Sequence, residues 1–265
     1  ERIYLLDVCC KLIFVSNWVK EKFFEGFEKK NHANCEVIYP SIVPIKKFPK
    51  KKKIISFVGK LNRSKGFHIF GTAIIKILEK YKDWKSIVIG DEPREKYHFK
   101  HKNLKYMGWI PHNETLKLYN ETSISVVPSE WEEPFGRTAV EAASRGCATV
   151  ISKRGGLVET VPHTMFLIKL NHKELYEKIK FLIKNDKARQ DLQIKSYKRV
   201  FHNLKFNTLK IDRYRDQLLD TKTFSINRNK QLKILHISNF GNWLFNRLYF
   251  ISIAKKLSNG FIRSG

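Results

Sequence analysis

The chain has 265 residues, with 51 Lys and Arg against 25 Asp and Glu, a formal net charge of +26 and 42% hydrophobic residues. That balance supports a packed core and excludes wholesale disorder. No apolar run reaches the roughly 18 to 20 residues of a membrane span, and no secretory signal opens the chain.

The elements read in chain order as follows. Leu12-Ile13-Phe14-Val15 is a short buried strand, and Ser16-Asn17 can cap a helix over Val19 to Phe27. Val37-Ile38 is a second strand, ended by Tyr39-Pro40-Ser41. A linker with Pro44, Pro49 and the run Lys46-Lys47-Phe48-Pro49-Lys50-Lys51-Lys52-Lys53 follows. Solvated lysines are the plain reading of that run. Attraction to an anionic membrane surface is the functional one, and RNA is a weaker third, because no RNA-recognition, zinc-finger or helix-turn-helix signature accompanies it. Much of the charge is scattered lysine, which also reads as a compositional habit.

From Ile54 a regular alternation sets in. Strands are expected at Ile54–Val58, Ser86–Ile89, Leu104–Met107, Ile124–Val127, Ala148–Ile151 and Phe166–Ile168. Helices are expected from Gly66 to Lys80, His112 to Tyr119 and Arg137 to Arg145, with a short helical turn after Gly155-Gly156 and three helical stretches between Lys173 and about Leu219. Strands alternating with helices predict an α/β fold, a Rossmann-like, mostly parallel sheet flanked by helices, with ligands at the carboxyl ends of the strands. No G-x-G-x-x-G follows any strand, which argues against a dinucleotide dehydrogenase.

Four cysteines, Cys9, Cys10, Cys35 and Cys147, lack C-x-x-C spacing, so a reduced compartment fits better than a disulfide framework. His98 and His101 stand three apart without a carboxylate or thiol cluster, and no metal site is expected.

Two strand-to-helix loops carry chemistry. Gly59-Lys60-Leu61-Asn62-Arg63-Ser64-Lys65-Gly66 combines close backbone approach, two ammonium groups and a helix N-terminus, which suits a phosphate or diphosphate. It lacks the G-K-[ST] ending of a P-loop, and two surface lysines remain the bland reading. In EEPFGRTAVEAASRGCATV, Glu133 and Glu141 stand eight apart around Pro134-Phe135-Gly136. A carboxylate would repel phosphate but accepts hydrogen bonds from hydroxyls. Glu141 therefore suits a ribose and Glu133 a second sugar, while the lysines and helix ends hold a diphosphate between them. The bland alternative is a pair of solvated surface glutamates.

The ordered set is specific. The run PSEWEEPFGRTAVEAASRGCATVISKRGGLVET (128–160) resembles the E-x7-E region of retaining glycosyltransferases of family 4, which have the GT-B fold. FVGKLNRSKG (57–66) resembles their phosphate segment, KYMGWIPHNETLKLYNETSISVVPS (105–129) the segment framing the nucleobase, and residues 10–42 the crossing from the acceptor domain into the donor domain. The resemblance covers roughly residues 10–220.

It implies transfer of a sugar, with retention of configuration, from a nucleotide-sugar to a glycan or lipid-linked acceptor, with no cofactor and no metal. It implies that Lys60 and Lys65 hold the diphosphate beside Gly59, and that Glu133 contacts the donor sugar. Phe135, Gly136, Arg137 and Thr138 would line the sugar–phosphate site. Glu141 would bind the ribose and Ile110 would lie by the base through its backbone. Lys60 stands where the family usually has Arg, so a point charge replaces a bidentate clamp. Arg137 stands where Leu is common, and with Trp131 it is expected to help choose the sugar.

The same reading divides the chain into the end of an acceptor domain (1–38), a linker (39–53), a nucleotide-sugar-binding domain (54–220), a second linker (221–231) and the start of another Rossmann-like unit (232–265). That last unit is read as the opening of a second enzyme or, in a permuted chain, as packing on residues 1–38. A chain that opens on Glu1 and closes at Arg263-Ser264-Gly265 reads as a piece of a longer protein. The expected setting is cytoplasmic, at a membrane, in the assembly of lipopolysaccharide or another surface glycan. A nucleotide-sugar-binding module without turnover, and more weakly an RNA-binding protein, are the alternatives.

Overall fold

Eight strands and seven helices follow one another in a computed structural model that describes residues 2–220, apart from 10, 29–31, 44, 96 and 162. The expected strand and helix at 232–265 lie outside the described residues. Residues 1–217 belong to one compact body.

The chain opens with α1 (Arg2–Val8), which the sequence reading had not assigned, then β1 (Leu12–Phe14), α2 (Asn17–Phe23) and β2 (Cys35–Val37). Ser16 caps α2 as expected, its Oγ accepting from the Val19 N–H. β1 and β2 pair in parallel. Phe14, Phe24 and Cys35 form a small core of their own.

The main sheet is built from β3 (Lys52–Val58), β4 (Lys85–Ile89), β5 (Leu104–Tyr106), β6 (Thr122–Val127), β7 (Ala148–Ser152) and β8 (Met165–Leu167). Its strands are all parallel, in the order β5-β4-β3-β6-β7-β8. The helices are α3 (Phe67–Lys80), α4 (His112–Glu121), α5 (Arg137–Ser144), α6 (His172–Lys184) and α7 (Asp186–Asp220), with a 3-10 turn at Gly155–Glu159.

The central strands read as they do because both faces are covered. Every residue of β6 and β7 is buried. On one face α3 packs Phe67, Phe70, Ile74, Ile77 and Leu78 against Ile55 and Phe57 of β3 and against Leu175, Ile179 and Leu182 of α6. The Phe57 ring stands 5.1 Å from Phe67 and 5.2 Å from Phe70. On the other face α5 packs Ala139, Val140 and Ala143 against Val127 and Ile151. The small residues of α5 let it lie close to the sheet. That closeness sets where its first turn points.

Three differences from the sequence reading have physical causes. Only two helices occupy the stretch after Lys173. Nothing in 186–220 is Gly or Pro, so α7 runs unbroken for 35 residues. The break before it is at Asn185, whose Nδ2 donates to Phe181 O, while Arg189 donates to Leu182 O. Secondly, β3 begins at Lys52, inside the expected linker. Thirdly, the lysine run is not uniformly solvated. Lys51 Nζ is drawn inward and donates to three backbone carbonyls, Tyr119 O at 2.9 Å, Asn120 O at 3.1 Å and Arg145 O at 2.5 Å. Burial lowers its pKa from the ordinary value. Lys52 pairs with Glu121 at 2.7 Å and Lys53 with Asp83 at 2.6 Å. Among the described residues, no helix is long and apolar enough to cross a membrane.

Candidate functional site

The strand order reverses direction between β3 and β6. From β3 the chain winds outward to β4 and β5, then returns to β6 and winds the other way to β7 and β8. A crevice opens at such a switch point, outside the carboxyl ends of the two strands. The loops that follow β3 and β6 are the two motif loops, 59–66 and 128–136. A cavity of about 400 Å³ lies there, a size suited to a small-molecule ligand.

The two loops are laced together. The N–H groups of Glu130 and Trp131 both donate to Ser64 O at 2.9 Å. Gly66 has φ +70°, and a Cβ there would stand 1.9 Å from Pro128 O. The β3 loop holds its own shape through Asn62, whose Oδ1 accepts from Lys65 N–H and Ser64 Oγ, each at 3.0 Å. At the far wall, Gly156 N–H donates to Glu133 O at 2.7 Å. A Cβ on Gly155, at φ +53°, would meet Glu133 O at 2.3 Å. The Gly155-Gly156 pair thus presses directly on the backbone of the acidic loop.

Lys65 and Glu133, 68 residues apart, meet across the crevice. Lys65 Nζ donates to Glu133 Oε1 at 2.6 Å, and Ser129 Oγ donates to the same oxygen at 2.6 Å. Glu133 is 8% exposed. Both residues line the cavity, together with Gly59, Gly136, Arg137 and Thr138. Helices α3 and α5 start from this crevice on the left-handed glycines Gly66 and Gly136, and neither has a side-chain cap. Two uncapped helix N-termini beside a lysine favour an anion at this place.

Glu141, also buried, opens onto a small adjoining cavity shared with Phe135 and Arg137. Its Oε1 lies 3.1 Å from His112 Nε2 and 3.5 Å from Arg137 Nη2. Phe135 borders the main cavity, but its ring stacks on Tyr39 at 5.7 Å and belongs to the core. Lys60 is exposed and does not line the cavity. Ile110, half-buried in the turn between β5 and α4, does not line it either. The structure therefore gathers Lys65, Glu133, Gly59, Gly136, Arg137 and Thr138 around one space. Glu141 stands beside it, and Lys60 and Ile110 are not in its lining.

The sequence reading missed Ser129, His112 and Glu159. Glu159 ties α2 to the site. Its carboxylate accepts from Asn17 N–H, Trp18 N–H, Asn17 Nδ2 and Tyr39 OH, at 2.8 to 2.9 Å. Ser16 Oγ donates to Pro134 O at 2.6 Å. Nothing local signals these pairs, since the partners lie over a hundred residues apart.

On the β4 side, Glu92 accepts from Arg94 Nε at 2.7 Å and Nη2 at 2.9 Å. This pairing, with Lys60 nearby, lowers its pKa from the ordinary 4.5 to about 2. A depressed carboxylate contributes stability that is present above its unfolded pKa and is lost as pH falls through its folded one. Glu92→Gln is therefore expected to flatten the acid limb of the stability–pH curve between 4.5 and about 2, measured by denaturant unfolding at each pH. An unchanged limb would mean that the pair does not hold in solution.

A family model described as glycosyl transferases group 1 matches residues 40–199, more than half of the chain, and the chain belongs to that family. An uncharacterised glycosyltransferase of Methanocaldococcus jannaschii is 33% identical over 120 residues, 42% of this chain and 30% of that protein. Spore coat protein SA of Bacillus subtilis is 28% identical over 159 residues, 53% of this chain and 42% of that protein. Among solved structures, Anabaena HepE in complex with UDP aligns with a TM-score of 0.68 at 18% identity, over 82% of this chain and 65% of that one. The C-terminal domain of a group 1 glycosyl transferase from Francisella tularensis aligns with a TM-score of 0.52 at 28% identity, over 58% of this chain and 87% of that one. The chain spans less than half the length of the curated relatives it matches.

Proposed function

We propose that this chain carries the nucleotide-sugar site of a retaining glycosyltransferase of family 4. The observation that carries the reading is the cavity at the β3/β6 switch point, where Lys65 and Glu133 meet between two uncapped helix N-termini. In this reading the diphosphate lies against Lys65, the Gly59 backbone and the first turns of α3 and α5. Lys60 approaches from the rim. Glu133 takes hydroxyls of the donor sugar, and Phe135, Gly136, Arg137 and Thr138 wall the sugar–phosphate region. Glu141 takes the ribose hydroxyls and Ile110 borders the base.

As the bond from the anomeric carbon to the phosphate oxygen breaks, its electron pair passes to the diphosphate. The ammonium groups and oriented N–H dipoles stabilise that charge where it develops. This electrostatic set can act without a metal. HepE, whose solved complexes contain UDP and UDP-glucose, supports a nucleotide-sugar as ligand. A glycan or lipid-linked acceptor at the cytoplasmic face of a membrane, in lipopolysaccharide or other surface-glycan assembly, completes the proposal. So do a division at 38/39 into acceptor-domain end and linker, a donor domain that opens with β3 at Lys52 rather than at 54, and a second unit from 232.

His112 and Arg137 both lie against Oε1 of Glu141, so in this reading the ribose hydroxyls take Oε2 or displace one of these partners. The test is calorimetric titration of the chain with UDP-, GDP- and ADP-sugars, beside Glu141→Ala and Lys65→Ala. One nucleotide family should bind. Loss of the Glu141 hydrogen bonds should weaken it by about 1.5 to 3 kcal/mol, as for hydrogen bonds to a charged group, and Lys65→Ala should weaken it as well. Binding that neither variant weakens overturns this placement of the donor. A native chain that binds the donor but never transfers its sugar, even with an acceptor domain supplied in trans, favours the binding-module reading.

A further inference from the structure

We propose that Ser129 is a positioning residue for Glu133. It fixes one carboxylate oxygen so that the other alone faces the donor sugar. The inference rests on the donor-site reading above and adds to it a residue that motif comparison did not single out.

The geometry separates the two oxygens of Glu133. Oε1 accepts twice, from Lys65 Nζ and from Ser129 Oγ, both at 2.6 Å. Oε2 takes no hydrogen bond among the described residues, and Glu133 lines the cavity. Ser129 is fully buried, at 0% exposure. Its own backbone is tied to β7, because Ser152 Oγ donates to Ser129 O at 2.7 Å. Its hydroxyl is thus aimed by packing and by a second strand, not by solvent.

The two donors to Oε1 are not equivalent. Lys65 is 31% exposed along its side chain and sits at the mouth of a site for an anion. A diphosphate competes with Glu133 for that ammonium, and when Lys65 turns to the phosphate, Glu133 loses one of its two anchors. Ser129 is neutral and buried, so an arriving anion has no pull on it. It keeps the carboxylate in place while Lys65 changes partner. A carboxylate left without both anchors would swing, and its contact with the sugar hydroxyls would be lost, whereas contacts to the nucleotide would stay.

That difference gives the test. Dissociation constants of UDP and UDP-glucose, GDP and GDP-mannose, and ADP and ADP-glucose are measured by calorimetry for the native chain and for Ser129→Ala. Nucleoside diphosphate alone reports the phosphate and ribose contacts. The ratio of its constant to that of the matching nucleotide-sugar reports the sugar contact. In Ser129→Ala the ratio should fall about tenfold or more, the worth of one charge-assisted hydrogen bond, with the nucleoside diphosphate constant changed less than about twofold. Ser129→Cys keeps the volume but donates weakly, so its ratio should fall between the two. It also serves if the alanine variant does not fold.

A ratio unchanged in a folded variant overturns the proposal. So does an equal loss for nucleotide and nucleotide-sugar, which would mark Ser129 as merely structural. A native ratio near one overturns it too, because Glu133 would then hold no sugar. A native chain that binds none of the six ligands fails at the earlier step, the donor-site reading itself.

Discussion

Replacing Lys51 by methionine is expected to lower the free energy of unfolding by about 3 kcal/mol or more, read as a drop in the denaturant midpoint at unchanged slope. Methionine matches the length of the stem, so packing against Phe48 and Gly146 is largely kept and the loss isolates the ammonium group. That group serves three carbonyls from two places, the end of α4 (Tyr119 and Asn120) and the end of α5 (Arg145), from which the chain turns into β7. Tyr119 O keeps the Thr122 N–H and Cys147 Sγ as donors, so the loss falls on Asn120 O and Arg145 O; each buried acceptor orphaned costs about 1 to 3 kcal/mol unless water replaces the donor. A loss below about 1 kcal/mol would mean that water already reaches these carbonyls. The residue that looked most like solvated linker is thus expected to matter most to stability.

Gly66→Ala is expected to cost a similar amount, on the order of 3 kcal/mol, and to weaken nucleotide binding with it. The left-handed backbone alone accounts for about 1 to 2 kcal/mol. The rest is a clash with backbone that cannot rotate away, since the new Cβ would stand 1.9 Å from Pro128 O and 2.7 Å from Pro128 C. Relief requires the loops after β3 and β6 to part. Parting strains the bonds from Glu130 and Trp131 to Ser64 O and separates Lys65 from Glu133. Gly108 supplies the control. Its φ is +63°, but nothing lies within 4 Å of its Cβ position. Gly108→Ala should therefore show the backbone cost without the clash. Equal losses in the two variants, measured by chemical denaturation, would refute the close approach at Gly66.

The alternation of strands and helices was legible because each buried strand is a short apolar run and each loop is punctuated by Gly, Pro or Asp. Ser56-Phe57-Val58-Gly59 and Ser125-Val126-Val127-Pro128 are such cases. The two motif loops were legible for the same reason. Which oxygen of Glu133 meets which donor was not, because it follows from the strand order, and that order is not written in hydrophobic periodicity. Lys65 reaches Glu133 only because β3 and β6 are neighbours, although β4 and β5 lie between them in the chain. Lys51 was misread for a related reason, since its three acceptors come from residues 68 to 94 positions away. The Ile110 assignment came by resemblance and that of Lys60 from the charge of its loop as well, and the cavity leaves both outside its lining.

Helix α7 has one more consequence. At 1.5 Å per residue its 35 residues make a rod about 52 Å long. From that rod Tyr197 OH donates to Ile45 O, Asn207 Nδ2 to Tyr39 O, and Tyr214 OH to Glu36. The chain that leaves β2 for β3 is thus splinted along its length, and the splint is a lever. A tilt of about 5° at its start would carry its far end about 4.5 Å. The passage from β2 to β3 is thus held by contacts spread along one helix rather than by hydrogen bonds of its own.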